Sequence, residues 1–516
     1  MRAPDPRESS CSHALLRAQA KRNICEVNDD TMQYLFTLLG EDAEVDLSQA
    51  LLLRAVCVSW RDLIQKNTTL PGHRLLVAPK FLKTENDSQR ARRMSSHWGW
   101  GALGVPPLTI LATGEGPKIV SFKSKDSTDY VSATASHQTL CMNVLARNAP
   151  FLTTLDLGHN QKVFSNFDFI EKLTHLTDLN LGSCVGLLTL DALRGATALV
   201  SLTVSRCFRL RTLDGLENLH RLQHLEARHC IDLRCIGALR SVESLCTINL
   251  FGCTELETID VLAPLPRLKH VTATGSDALL NVDAMGTSTS LTSLFLNGCG
   301  SLKDVGVFGL APNLTHLDLG DCSAVTSLGD LHTSSSLTTL ILQGMPGLHS
   351  VASLSLMQSL RRLTIAEFQQ PINIDALATL SSLTRLSLRS SGGLTSVDAL
   401  GVAPRLTTLD LEDCRQLTNV TALGASSTLV SLTLHGCQGL QSSAAFSGIS
   451  TLQLLKVSLC QSIVDFIGID ISNLVTLTAD NCRRLRDVSS LEFALKLVFL
   501  DLSSCMSIQD VTALAR

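Results

Sequence analysis

The chain has 516 residues, 45% of them hydrophobic and 17% charged, and a formal net charge of -4. That apolar content excludes wholesale disorder, and the near-balanced charge argues against a polybasic nucleic-acid binder. Aromatic residues make up only 4%, fewer than a large enzyme usually devotes to its core and pockets. In chain order, residues 1–27 carry Arg, Pro, Ser and Lys without periodicity and read as a disordered N-terminus. They contain no apolar stretch of the kind that forms a secretory signal, and no run in the chain reaches the roughly 18 apolar residues of a membrane span. The expectation is a cytoplasmic chain, with the nucleus as a second possibility, and no membrane partner.

Residues 28–70 read as a small helical unit. Asn28-Asp29-Asp30 can cap a helix bearing Met32, Leu35, Phe36, Leu38 and Leu39, which Gly40 ends. Asp46 can cap a second helix, where Leu52, Val56, Trp60 and Leu63 form one apolar stripe. The stretch from Asp46-Leu47 through Val56-Cys57 to Trp60-Arg61-Asp62-Leu63 resembles the second half of the F-box motif, although Asn28–Thr31 stands where that family opens with Leu-Pro. The resemblance implies that Leu35, Leu38, Leu39, Leu52, Leu53, Val56 and Trp60 contact a Skp-type adaptor or form the core of the unit. The other reading is an unrelated helical cap. Residues 71–150 read as an N-terminal cover. It would hold an edge strand at His73–Phe81, a polar helix at Thr84–Trp100, strands of degenerate repeats at Leu108–Ala112 and Lys118–Phe122, and a helix at His137–Arg147. Gly114-Glu115-Gly116-Pro117-Lys118 reads as a turn.

Residues 151–516 repeat. Cys184, Cys207, Cys230 and Cys253 are 23 residues apart, as are Cys299 and Cys322, and Cys414, Cys437 and Cys460; Cys482 and Cys505 follow at 22 and 23. Asn160, Ser276, Met345, Phe368 and Ser391 complete a ladder of sixteen rungs. Eight residues before each rung stands a Leu, and one unit reads L-x-x-L-x-L-x-x-C-x-x-L-x-x-V-x-x-L. The x-L-x-L-x segment alternates with period two and predicts a strand with one buried face. The later apolar residues recur every three positions, which suits a 3-10 turn. No unit can bury its apolar face alone, so neighbours stack into one core. Asp191, Asp214, Asp260, Asp283, Asp375 and Asp398, each seven after a rung, are expected to be N-caps of the outer turns.

The pattern resembles the cysteine-containing leucine-rich repeat family. The expected fold is an α/β solenoid of about sixteen repeats, an arc with parallel strands on its concave face and 3-10 turns or short helices on its convex face. An F-box unit ahead of such repeats is a pairing found in substrate receptors of cullin-RING ubiquitin ligases. The resemblance therefore implies a protein substrate on the repeats, with a Skp-type adaptor and cullin as partners. The alternative is a leucine-rich repeat scaffold or regulatory protein with no ligase link.

No zinc pair of the C-x₂₋₄-C type fits the single thiols of the ladder, and the expected role of the rung cysteines is as buried, weakly donating apolar groups. The chain holds no Walker loop, G-x-G-x-x-G, H-E-x-x-H or G-x-S-x-G, so no cofactor, metal or catalytic residue is expected. Candidate partner-binding residues are the strand positions that are not Leu. They comprise a cluster of His224, Glu226 and Arg228; exposed Phe251 and Phe295; an isolated Asp318; a basic patch of Arg362, Arg385 and Arg389; and an acidic one of Asp410 and Glu412. Exposed Phe and Arg are favoured at interface hot spots, and the opposite-signed patches suit a charge-patterned protein. The lack of a continuous basic stripe disfavours nucleic acid.

Overall fold

A computed structural model describes residues 108–113, 116–122, 152–158, 167–368, 370–418, 420–440 and 448–515. The F-box-like unit, including Leu35, Leu38, Leu39, Leu52, Leu53, Val56 and Trp60, lies outside the described residues, as does the Asn160 rung. Contacts divide the chain into Met1–Asn180 and Leu181–Arg516.

In the first unit, β1 (Leu108–Thr113) and β2 (Gly116–Phe122) pair antiparallel, with Thr113 opposite Gly116. They form a hairpin rather than two parallel repeat strands. Two intervening residues can reverse a chain but cannot supply the dozen or more that a parallel crossover needs. Gly116-Pro117-Lys118 therefore belongs to a strand, and the turn is shorter than its composition suggested. β3 (Thr154–Asp156) lies parallel to β2 and to β4 (Asp178–Asn180). Leu152, Leu155, Leu157, Leu176 and Leu179 are buried here.

The second unit holds β5 (Ser201–Thr203) through β18 (Phe499–Asp501), each one parallel and in register with the next. The strands are short because each coil spends only three residues in the ladder before it bends; β11 (Thr339–Gln343), β12 (Arg362–Ala366) and β13 (Arg385–Arg389) reach five. Between successive strands run 3-10 turns such as Asp260–Leu262, Gly306–Leu310 and Thr421–Ala425. The repeat Leu eight before the rung is buried in every described coil but the last, where Leu497 is half-buried. This is a leucine-rich repeat solenoid.

The cysteine rungs are free thiols, and Cys184, Cys207, Cys230, Cys253, Cys299, Cys322, Cys414, Cys437, Cys460 and Cys482 are buried. From Cys207 onward the rung thiols donate to a carbonyl of the preceding coil: Cys230 Sγ to Val204 O at 3.2 Å, Cys253 to Ala227 at 3.2 Å, Cys322 to Leu296 at 3.2 Å. Burial pushes the thiols up, Cys230 to about 11 and Cys253, Cys299 and Cys460 to about 12.

The residue before each rung adopts the left-handed conformation, from Ser183 (φ 62°) and Arg206 (φ 61°) to Asn481 (φ 57°) and Ser504 (φ 59°), with Gly252, Gly275, Gly298, Gly344 and Gly436 in the same column. That kink ends the strand and turns the chain inward. At two glycines the reason for Gly is also steric: a Cβ on Gly252 would meet the His229 imidazole at 2.6 Å, and one on Gly344 would strike the Asp321 carboxylate.

The six aspartates expected to cap the outer turns do not. Asp191, Asp260, Asp283, Asp375 and Asp398 are the first residues of their 3-10 turns, and no side chain caps from the position before them; Asp214 lies in a turn outside any 3-10 element. For Asp260, Asp283, Asp375 and Asp398 the capping acceptor is two residues upstream. Thr258 Oγ1 accepts the Asp260 N–H at 3.1 Å, Asn281 Oδ1 that of Asp283 at 2.8 Å, Asn373 Oδ1 that of Asp375 at 2.8 Å and Ser396 Oγ that of Asp398 at 3.0 Å. These are Asx- and Ser/Thr-turns. Asp260 instead accepts the Ala284 N–H of the next coil at 3.0 Å, and Asp191 pairs with Arg194 at 2.8 Å.

Candidate protein-binding face

The parallel register lines up like positions of successive coils. Side chains six, four and two residues before the rung alternate with the buried leucines and so stand on the open face of the strands. Neighbouring strands lie about 4.8 Å apart, so each position becomes a row running across the coils.

The row six before the rung runs His224, Thr247, His270, Ser293, His316, Thr339, Arg362, Arg385. His224 is exposed, and its Nδ1 lies 2.9 Å from Thr247 Oγ1. In the same coil Arg228 Nε donates to Glu226 Oε2 at 2.7 Å, an exposed pair of the kind worth about 0–1 kcal/mol. Phe251 (38% exposed) and Phe295 (37%) both reach solvent but in different rows two coils apart. Phe251 stands edge-on to His229 with ring centroids 4.9 Å apart. Phe295 lies in register between Thr272 and Asp318. Asp318 Oδ1 accepts the Gly320 N–H at 2.9 Å. Burial pushes its carboxyl above the usual carboxylate value, and the nearby Asp321 charge adds to the rise.

The basic and acidic patches are not separate. Arg389 reaches across to the next strand, donating from Nε (2.9 Å) and Nη2 (2.7 Å) to Asp410 Oδ2, with Glu412 Oε2 at 3.5 Å. The hydrogen bond to Asp410 holds the guanidinium above its usual value. Arg389 is therefore the centre of a neutralised cross-strand network rather than a member of a free basic patch. Arg362 and Arg385 are directly opposite each other in register and exposed. Among the described residues neither makes an ion pair.

Two exposed arginines of this region, Arg361 and Arg405, escaped the sequence reading, because they precede their strands and fall outside the alternating positions. Their signal was present: Arg361 is adjacent to Arg362, and no Asp or Glu occurs in the ten residues from Leu356 to Ile365. Also missed was Asp480. A hydrogen bond from Ser458 lowers its carboxyl pKa, a second comes from Asn481, and the charge of His435 acts in the same direction.

Among the described residues no group of three or more His, Cys, Asp or Glu could hold a metal ion, and no helix is long and apolar enough to cross a membrane.

A scan against protein-family models finds no match, and a search of curated proteins finds none. Solved structures do show similarity. An internalin (InlF) from Listeria monocytogenes is 17% identical, with 66% of this chain and 93% of that one covered and a TM-score of 0.44. The functional domain of InlJ from Listeria monocytogenes, described as including a cysteine ladder, is 21% identical over 67% and 71% of the two chains, with a TM-score of 0.44. TLR13, in a complex with ssRNA13, is 18% identical over 70% of this chain and 54% of that one, with a TM-score of 0.49. What defines the class of this protein is its own 23-residue ladder and in-register strands, those of a leucine-rich repeat protein with an open strand face.

Proposed function

We propose that the chain is a non-catalytic protein-interaction scaffold whose strand face holds a protein partner, and that it serves as an F-box type substrate receptor of a cullin-RING ubiquitin ligase in the cytoplasm or nucleus. The single observation behind the first half is the open face itself. Its in-register rows present Phe, Arg and carboxylate side chains on a continuous ladder of strands, and Phe and Arg are among the residue types that protein interfaces favour. The second half is supported by the sequence from Asp46-Leu47 to Trp60-Arg61-Asp62-Leu63 standing ahead of the repeats.

The experiment is affinity capture of the full chain and of its Trp60→Ala variant, with cross-links mapped on both. A Skp-type adaptor and cullin are expected with the parent chain, and at least tenfold less of each with the variant. Cross-links to the substrate are expected on strand-face residues, Phe295 and Arg385 among them. An adaptor retained by Trp60→Ala, or absent from both, removes the ligase reading. Cross-links confined to the 3-10 turns remove the strand face.

A further inference from the structure

The strand face is polarised across its width. In the four consecutive coils carrying Met345, Phe368, Ser391 and Cys414, the residues from ten to five before the rung are SSLTTL, QSLRRL, SSLTRL and PRLTTL. They contain Arg361, Arg362, Arg385 and Arg405 and no carboxylate. All four arginines are exposed, and among the described residues none makes an ion pair. At the other end of the same strands stand Glu367, Asp410, Glu412 and Asp413, with Arg389 committed to Asp410 and Glu412.

Like charges on neighbouring strands repel. Arg362 and Arg385 are directly opposite across one strand pair, a juxtaposition that costs stability. The side chains around them are short, Thr338, Thr339, Thr364, Ser382, Thr384 and Thr408, and among the described residues no carboxylate pairs with their guanidinium groups. Further along the strands Arg228 pairs with Glu226 and Arg389 with Asp410, whereas Arg221 and Arg267, which also precede their strands, make no ion pair among the described residues. Where two such arginines face each other directly, at Arg362 and Arg385, the unpaired charge is concentrated on one edge. We infer that this edge binds an acidic segment of a protein partner, rich in Asp and Glu, laid across β12 and β13 so that its carboxylates meet Arg361, Arg362 and Arg385. The inference rests on the reading of the strand face as protein-binding and names the chemistry of what it takes.

The polarity selects a protein segment over a nucleic acid. A carboxylate-bearing peptide can be acidic over the leading edge and neutral or basic over the far edge. A continuous phosphate chain crossing the face would run onto Glu367, Glu412 and Asp413. Guanidinium forks bind carboxylates in bidentate fashion, and two long, exposed arginines on neighbouring strands can each take one carboxylate of an extended acidic chain.

The probe is a fluorescein-labelled octaglutamate peptide, titrated against the full chain at low ionic strength and followed by anisotropy, with a single-stranded RNA octamer in parallel. Saturable peptide binding is expected. It should weaken at least tenfold in the Arg361→Glu, Arg362→Glu, Arg385→Glu triple variant, with the melting temperature unchanged because all three side chains are exposed. An Arg211→Glu, Arg234→Glu variant, reversed elsewhere on the molecule, should bind the peptide as the parent does. Equal peptide binding by the triple variant, no binding by the parent, or tighter binding of the RNA than of the peptide overturns the inference. The strand-face reading has its own readout, since cross-links to a partner at Phe295 would persist if only the acidic-segment assignment were wrong.

Discussion

At the scale of single residues the ladder is informative where it is interrupted. Ser276 occupies a rung, is fully buried, and its hydroxyl has no hydrogen-bond partner among the described residues. Its cysteine counterparts do better on two counts: the thiol is less costly to bury, and it donates to the carbonyl of the coil before. A buried hydroxyl left unpaired costs about 1–3 kcal/mol. Ser276→Cys should therefore raise stability by about 1 kcal/mol, read as a higher denaturant midpoint with an unchanged slope; a lower midpoint would show that the rung is too tight for sulfur. The residue scale is also where sequence reading met its limit. The spacing made Asp260 and Asp283 look like caps, because an acidic residue opening a turn is the usual sign of one. The capping acceptors are Thr258 and Asn281, two residues earlier. The column of Thr, Asn, Ser and Asp at that position was visible in the sequence. What spacing could not reveal is that an Asx- or Ser/Thr-turn opens the 3-10 segments at Asp260, Asp283, Asp375 and Asp398. Arg389 failed for a different reason. Its partner Asp410 sits on the next strand and two positions away along it, a diagonal settled by side-chain rotamers rather than by register.

At the scale of the element, one coil is a strand, a left-handed kink at the residue before the rung, and a 3-10 turn, and it is stable only between two others. The interior leucines show this. Leu294, in β9 (Ser293–Phe295), is fully buried between neighbouring coils. In the coil of β18, Leu497, Leu500 and Leu502 are only half-buried, while Leu495 is 90% exposed and Val498 84%. Core Leu→Ala changes cost about 2–5 kcal/mol where the site cannot collapse. Leu294→Ala is expected to fall in that range, and Leu500→Ala to cost less than half as much, by denaturant unfolding monitored with hydrogen exchange. Equal costs would mean that the last coil is as well enclosed as the middle ones. The leucine pattern made the strand and its buried face legible from the sequence, because period two leaves no second register for the apolar set. The antiparallel pairing of β1 and β2 was legible from connection length though not from composition, because the few residues between the two expected strands are too short for a parallel crossover.

At the scale of the whole molecule, the exposed rows follow from register alone, and their positions were legible once the 23-residue step was recognised. His224, Phe251, Phe295, Arg362 and Arg385 are all exposed on the face where the alternation put them. Their electrostatics were legible only in part. Which arginine is free and which is tied down depends on contacts between coils that no single repeat contains. The stacked-coil account makes a chemical demand on the thiols, because the thiolate is the reactive form and burial in the ladder both blocks access and pushes the thiol pKa up, to about 12 for Cys253 and Cys299. Cys235 lies off the ladder and is exposed. Alkylation of the native chain with iodoacetamide, read peptide by peptide in a mass spectrometer, tests this most directly. Cys235 should label within minutes, while Cys207, Cys230, Cys253, Cys299 and Cys322 should stay unmodified until denaturant is added. Labelling of those five rungs at the rate of Cys235 in the native chain would contradict the stacked solenoid.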